Sequence, residues 1–544
     1  MERLWPAFKA HFPLDPMFRA RSRAQSRRLN VPLVLVLALS LGLNAIPLWW
    51  GLPSSMGWAF DEILPVDVVH ATRHLLDGWA SRYPPLHYYL LWSLWRPFLK
   101  VLDIAGVVAS PAELRYWLFL LGRALSVLMA TATVYLVYRT ARTTYDRPTS
   151  TLAALTCAVM APFVYYAKTM NLEAPYLFWF VLSLWFLVKV LRRHRLRDTL
   201  ALSATVAFTI CSKDQAFALY LAVPPLLVWS RCRHQRAQDL PAPLWRSAFH
   251  PHLLAGGLLS VALFALIHRV PFDPRALPRH IHFMRGISAP AAEFSNTASG
   301  HALMLAQSVW NTAFVLSLPL LILCLVGVVG SFRRVPGYWR EPALLWMVAS
   351  YYVGFVCLVR YTYDRFFLPV AILLALFGAP GLRDLGRWSV RGRPAGRAIV
   401  LALLGWACVR AVAVDLAMLG DTRYAAERWL ESEVPKGARA VAVGRFKKLS
   451  PRGLAPVSWE AVRRSVSGAR NGLDADYLVV IVPDWQRPRE REIYDDLASG
   501  RFGYQTAVHL MPGPWWRVLD RYTARTNLDK VDPEVAIFRR LSPR

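Results

Sequence analysis

No CxxC pair occurs in the 544 residues, and the six cysteines are scattered. Five lie in apolar segments, Cys232 lies in a basic loop, and none follows Cys408. That pattern excludes a disulfide framework and a zinc ribbon, and leaves buried small side chains. Acidic residues are also few: 35 Asp and Glu stand against 64 Lys and Arg, a formal charge of +29. The excess is not a nucleic-acid footprint, because it falls in short runs between apolar stretches and accompanies no nucleic-acid-binding motif. No cleavable signal peptide is expected either. About thirty mixed residues precede the first apolar run, and no small-residue cleavage site follows it. No internal repeat, paired halves or low-complexity tract stands out.

What the chain has instead is apolar length. Hydrophobic residues make up 55%, above the 45–50% usual for a soluble domain. The first run, Val31 to Trp50, carries no charge and can span, since ~20 apolar residues cross a bilayer. About 11 spans are expected, centred on 31–50, 116–138, 149–167, 173–190, 199–213, 215–230, 252–268, 303–331, 342–359, 365–382 and 398–414. Basic clusters then assign sides. The tail carries Arg19, Arg21, Arg23, Arg27 and Arg28, and later clusters surround Arg142, Arg193, Arg233, Arg334 and Arg391. With the tail inside, all five loops fall inside, at every second connection, as the positive-inside rule requires. Pro84 to Leu102 would invert that order if counted as a span. It carries Arg96 and Lys100 along one side and is interrupted by Pro97, so it reads as an amphipathic helix in the interface.

The fold class expected is an α-helical polytopic membrane protein with interfacial helices in the first outer loop and a small extracytoplasmic α/β domain at the C-terminus. Residues 1–30 form a cytoplasmic basic tail and 31–414 the transmembrane module, with outer loops at 51–115 and 269–302. Residues 415–544 emerge outside the inner (cytoplasmic) membrane. There Asp421 is placed to cap a helix through Ala425 to Glu433, and 438–443, 477–482 and 535–539 read as strands.

Ionisable residues at membrane depth are costly and usually functional. Here they gather on one side. The first loop holds Asp61, Glu62, Asp67, His70, His74 and Asp77, then Arg82, Tyr83 and His87. Later outer turns carry Lys168 and Glu173, Lys213 and Asp214, and Arg360, Asp364 and Arg365. Clustering at one level suits a surface active site better than a conduction path. Sugar transfer from a lipid phosphate needs a carboxylate to take the acceptor proton and cations or a metal to receive the leaving phosphate. Asp61, Glu62 and Glu173 are the catalytic candidates; Lys213, Arg365, Arg82 and Lys168 are the phosphate-binding ones. Tyr83, His87, Asp214, Arg360 and Asp364 complete the site candidates. Each has a bland alternative: Asp61 as a helix cap, Glu173 as a structural partner of Lys168, Lys213 and Arg365 as snorkelling side chains. Asp61, His70 and His74 are weak candidates for a divalent metal, with His70 and His74 on one helix face but no matching third ligand. Trp49, Trp50, Trp79, Trp92 and Trp95 read as an interfacial belt.

Five segments resemble motifs of the GT-C superfamily of integral-membrane glycosyltransferases, on the branch of the protein O-mannosyltransferases and lipid A aminoarabinose transferases. They are Asp61 and Glu62 after the first span; Tyr83, Pro84, Pro85 and Leu86 opening an interfacial helix; Tyr165 to Pro175; Cys211 to Gln215; and Asp364 to Pro369. The resemblance covers roughly residues 31–382. It implies that Asp61 activates the acceptor, that Lys213 and Arg365 lie near the donor phosphate, and that the donor is a polyprenyl-phosphate monosaccharide. An in-line attack would invert the anomeric carbon. Arg82 and Glu173 depart from the family pattern, so its metal site is not carried over. The acceptor is a lipid, glycan or protein hydroxyl, and no nucleic-acid partner is expected. Two rivals remain, a multi-span transporter or lipid flippase, which would place charges mid-span as at Arg123, and a non-catalytic scaffold.

The topology has a direct test. Reporter tags inserted at positions 65 and 290 are expected to label from outside the cell; a cytosolic signal from either removes the outer pocket.

Overall fold

The computed structural model describes residues 30–52, 57–73, 79, 83–236, 243–288, 291–333, 342–391, 393–443, 454–466, 475–483, 488–519 and 525–541. The chain is mostly helical with one small sheet, and its long apolar helices make it a membrane-embedded protein. Helix α1 (Val31–Ala45) leads into the first loop, which holds the short α2 (Pro65–Thr72) and α3 (Leu86–Ile104). Then come α4 (Pro111–Ala141), α5 (Arg147–Ala158), α6 (Ala161–Ala167), α7 (Glu173–Arg193) and α8 (Leu196–Ile210). Further on lie α9 (Pro251–Ile267), α10 (Ala298–Leu316), α11 (Leu318–Arg333), α12 (Leu368–Leu385), α13 (Ala395–Leu419) and α14 (Thr422–Glu433).

Among the described residues four helices are long and apolar enough to cross a membrane, or up to six if each of two bent pairs is one span. Helix α4 is started by a full capping box, Ser110 with Glu113, which satisfies two orphan amides. At about 1.5 Å per residue its 31 residues exceed the ~30 Å apolar core of a bilayer. Two expected spans are broken. The run 149–167 bends by 68° between α5 and α6, and 303–331 bends by 107° between α10 and α11. Each break precedes a proline, Pro162 or Pro319. Each proline stands at the second position of the following helix, where its missing amide costs nothing, but it could not continue the helix before it. At the second break Ser317 adopts φ 71°.

Helix α12 is buried along nearly its whole length and packs closely on α11. The contact is made by glycines: a Cβ on Gly327 or Gly378 would overlap the backbone of Phe377 or the side chain of Cys324. Without water to drive association, small residues that admit close backbone approach hold such pairs. Helix α3 is not among the spanning candidates. It buries Leu86, His87, Tyr88, Leu91 and Trp95 and exposes Arg96 and Lys100, as an interfacial helix should. The aromatic belt is corrected in part. Trp50, Trp79 and Trp95 are buried inside the protein, because the indole N–H groups of Trp50 and Trp79 find partners there, the Asp421 carboxylate at 3.0 Å and the Tyr83 carbonyl at 2.6 Å.

The strands read at 438–443, 477–482 and 535–539 are β1 (Ala440–Val443), β3 (Tyr477–Ile481) and β5 (Val535–Arg540). Two more, β2 (Ala455–Val457) and β4 (Tyr504–Leu510), complete a sheet of order β2-β1-β3-β5-β4. β1 pairs parallel with β2 and β3, while β5 pairs antiparallel with β3 and β4. Strand periodicity divides its burial between two cores. Tyr477, Val479, Val535 and Ile537 join a core continuous with the helices. Leu478, Val480, Ala536 and Phe538 face a second core with Trp459, Ile493 and Leu497. Asp421 does cap α14, accepting from the Arg423 amide at 3.1 Å.

The first loop is pinned by one buried ion pair. Arg123, fully buried in α4, donates to both carboxylate oxygens of Glu62, at 2.8 and 2.9 Å. Its remaining terminal nitrogen donates to the carbonyls of Leu48 and Trp50 at 2.8 and 2.7 Å. Glu62 also accepts the Met170 amide at 2.8 Å. Breaking such a pair leaves an uncompensated buried charge, which costs about 3–5 kcal/mol. Glu62→Ala should therefore unfold at markedly lower temperature in detergent, by an amount Arg123→Ala matches and the double variant does not double. Independent, additive losses would show that the two groups do not act as a pair.

Candidate functional site

Four segments far apart in sequence converge beside this pin. Asp61 precedes Glu62 and holds φ 59°, a left-handed conformation that aspartate tolerates better than most residues. The backbone is fixed just beyond it, where the Ile63 amide donates to the Met170 carbonyl at 2.9 Å. Glu173 sits in the first turn of α7, where the helix dipole favours negative charge. Lys213 lies in the turn after α8, and Arg365 in the 3₁₀ turn Asp364–Phe367 that opens α12.

The charges interlock. Arg365 Nη1 lies 2.9 Å from Asp61 Oδ2 and 3.7 Å from Glu173 Oε1. Lys213 Nζ lies 2.5 Å from the same Glu173 oxygen and 5.0 Å from the centre of the Tyr176 ring. Two carboxylates thus balance two cations. Asp61, Arg365 and Lys213 keep 19%, 18% and 14% of their side-chain surface open, whereas Glu173 keeps 3%. A ligand can therefore meet the first three, while Glu173 works from behind. The Tyr363 and Phe366 rings flank the Arg365 guanidinium at 5.1 and 5.9 Å.

Other expected members lie elsewhere. Glu62 is committed to Arg123, so its carboxylate is a positioning group. Lys168, grouped with the phosphate-binding cations, is buried against the carbonyls of Leu43 and Ile46, both at 2.6 Å, and paired with Asp415 of α13. With all three donors taken it fastens helices and cannot reach a ligand. Asp364 is buried and engaged by Thr526 and by the Arg365 amide. Asp214 pairs with His280, 3.1 Å away. Arg360 ends a helix in the left-handed region, and its carbonyl accepts from the Glu293 and Phe294 amides. Tyr83 is half-buried, with its carbonyl bound to Trp79. His87 is fully buried with neither ring nitrogen partnered among the described residues. Burial pushes its pKa down to about 3, so it is neutral and no phosphate anchor. Arg82 and His74 fall outside the described residues. His70 is exposed on α2, and the Asp61 carboxylate is taken up by Arg365. Among the described residues no three His, Cys, Asp or Glu side chains come together to hold a metal. His74 of the weak metal set lies beyond that search, and no chemistry is derived through a metal.

Sequence reasoning missed the partners of these groups. Arg123 was visible as a lone charge within a span, but Glu62 as its partner was not. The C-terminal contacts of Asp364 carried no local signal at all.

Residues 119–268 match the sequence family described as dolichyl-phosphate-mannose-protein mannosyltransferase. No curated protein matches the chain. Among solved structures, the oligosaccharyltransferase AglB of Archaeoglobus fulgidus, in complex with an inhibitory peptide and a dolichol-phosphate, is 11% identical at TM-score 0.45, with 92% of this chain and 77% of that one covered. ArnT from Cupriavidus metallidurans bound to undecaprenyl phosphate is 12% identical at TM-score 0.40, covering 93% and 97%. A protein O-mannosyltransferase complex of S. cerevisiae bound to the sugar donor is 18% identical at TM-score 0.30, covering 50% and 37%. Likenesses of shape at this level carry no argument about chemistry. The matched residues include two of the five segments that carry the resemblance to GT-C glycosyltransferases, Tyr165 to Pro175 and Cys211 to Gln215, and the family agrees with that resemblance.

Proposed function

We propose that this protein is a GT-C-type glycosyltransferase that moves a monosaccharide from a polyprenyl-phosphate carrier to an acceptor hydroxyl at the outer headgroup boundary of the cytoplasmic membrane. In this reading the N-terminus is cytoplasmic and residues 415–544 form an extracytoplasmic α/β domain. The observation that carries it is the interlocked set Asp61, Arg365, Glu173 and Lys213. It offers a proton acceptor and two cations within one pocket, which is the complement this transfer needs.

Asp61 takes the proton from the acceptor hydroxyl. The acceptor oxygen forms the new bond to the anomeric carbon as the bond from that carbon to the phosphate oxygen breaks. The electron pair leaves with the polyprenyl phosphate, and in-line displacement inverts the centre. Arg365 and Lys213 receive the charge that develops on the phosphate oxygen. Without donor, both cations are neutralised by carboxylates. An arriving phosphate competes for them, and the more it draws Arg365 away, the freer Asp61 is to meet the acceptor. Glu173 keeps the two cations close together in spite of their repulsion. The donor sugar and the nature of the acceptor, whether lipid, glycan or protein, lie beyond this cluster.

Two measurements follow. Asp61→Asn keeps shape and loses the base, so kcat for sugar transfer should fall by about 10²–10⁴-fold while the protein stays folded. Undiminished transfer rejects Asp61 as base. Arg365→Ala and Lys213→Ala should each weaken binding of sugar-free undecaprenyl phosphate by about tenfold or more, as expected for a charge-assisted contact worth 1.5–3 kcal/mol. Unchanged affinity in both variants removes the phosphate site.

A further inference from the structure

Arg365 can serve the site only if the turn that carries it is held in place, and the group holding it comes from the far end of the chain. Asp364, the residue before it, is fully buried. Its Oδ1 accepts the Arg365 amide at 2.6 Å, and its Oδ2 accepts the Thr526 hydroxyl at 2.6 Å. Its own amide donates to the Arg525 carbonyl at 3.0 Å. The Thr526 hydroxyl also accepts the Leu528 amide at 3.1 Å. An oxygen already accepting an N–H turns its single proton the other way, so that proton is committed to Asp364.

The same segment touches the site's rim twice more. The Arg525 guanidinium lies 4.3 Å from the Tyr363 ring centre, with the Arg365 guanidinium 5.1 Å from that same centre, and Arg525 pairs with Glu293. Lys530 Nζ lies 3.8 Å from the centre of the Phe60 ring, next to Asp61. One stretch, Arg525 to Lys530, therefore meets both chain segments that supply the Asp61–Arg365 pair. Thr526 and Asn527 are almost wholly buried, so water cannot replace a bond lost there.

We infer that Thr526 is a positioning residue of the transfer site, aiming Arg365 at Asp61 and Glu173 through its hydrogen bond to Asp364. The inference rests on the proposed function above, since it assigns a task within that reaction. The hydroxyl touches no reacting atom. Its part is to keep the 3₁₀ turn from rotating, which would carry the guanidinium off both carboxylates. A residue of the sheet-bearing region thereby completes a site whose charged groups all lie in the helical part.

The test uses the full-length protein in lipid nanodiscs, a polyprenyl-phosphate sugar as donor, and kcat with melting temperature for each variant. Thr526→Val removes the hydroxyl and keeps the volume. It should lower kcat by about 10- to 100-fold, the loss that follows a misplacement of ~1 Å. Thr526→Ser, which retains the hydroxyl, should recover kcat to within about threefold. Tyr504→Phe breaks another buried hydrogen bond, from the Tyr504 hydroxyl to the Ala475 carbonyl at 2.7 Å; it should lower the melting temperature yet leave kcat within about twofold. Thr526→Val at wild-type rate, failure of the serine to restore activity, or equal loss in Tyr504→Phe would each overturn the inference alone. A wild-type protein no faster than Asp61→Asn would overturn the functional reading and this inference with it.

Discussion

The ion pair between Glu62 and Arg123 is the constraint on which the site depends. A fully buried guanidinium on a long apolar helix cannot be left alone, because the surroundings offer no water to solvate it. Each of its nitrogens is therefore engaged, by two carboxylate oxygens and two backbone carbonyls. The consequence is geometric. The loop that begins after α1 is drawn down onto α4, and its next residue on the N-terminal side, Asp61, is carried to one place with one orientation. The Met170 amide, donating to the Glu62 oxygen that also accepts Arg123 Nε, adds the turn before α7 to the same anchor. Glu173 starts that helix three residues later.

A second buried pair does similar work elsewhere. Lys168 and Asp415 tie the turn after α6 to α13, with the end of α1 between them. These pairs separate two kinds of charge in an apolar protein. Those with every nitrogen engaged, as in Arg123 and Lys168, are fastenings. Those with part of their surface still open, as in Asp61, Arg365 and Lys213, can exchange partners when an anion arrives. Burial alone would have selected the wrong group, since the fastenings are the more buried of the two.

The C-terminal sheet belongs to the same construction. Alternate residues of β3 and β5 serve two cores, and one of those is continuous with the helices. Docked in this way, the segment from Arg525 to Lys530 can reach Asp364, Tyr363 and Phe60. Helix α13 runs through residue 415 to Leu419, and α14 follows before the first strand.

Much of this was legible in the residues alone. Apolar length and the spacing of basic clusters pointed to a polytopic membrane protein, and Arg96, Lys100 and Pro97 marked α3 as a helix that does not cross. Period-two apolar runs disclosed β1, β3 and β5, while β2 is too short and β4 too exposed on its outward face to stand out. Local chemistry decides such features, because a run of side chains meets lipid, water or a neighbouring strand wherever the chain later goes. The breaks before Pro162 and Pro319 were there to be read as well, but composition over a whole window conceals a single missing amide. Which of several similar charges would become partners was settled only by tertiary structure. Glu62 and Asp61 are adjacent and chemically alike, yet one faces Arg123 and the other Arg365, residues 61 and 304 positions away in sequence. Lys168 and Lys213 follow comparable helices, yet one is consumed by backbone carbonyls and the other stands beside Glu173. Pairing energies depend on distance and burial between segments remote in the chain, and no local pattern encodes either.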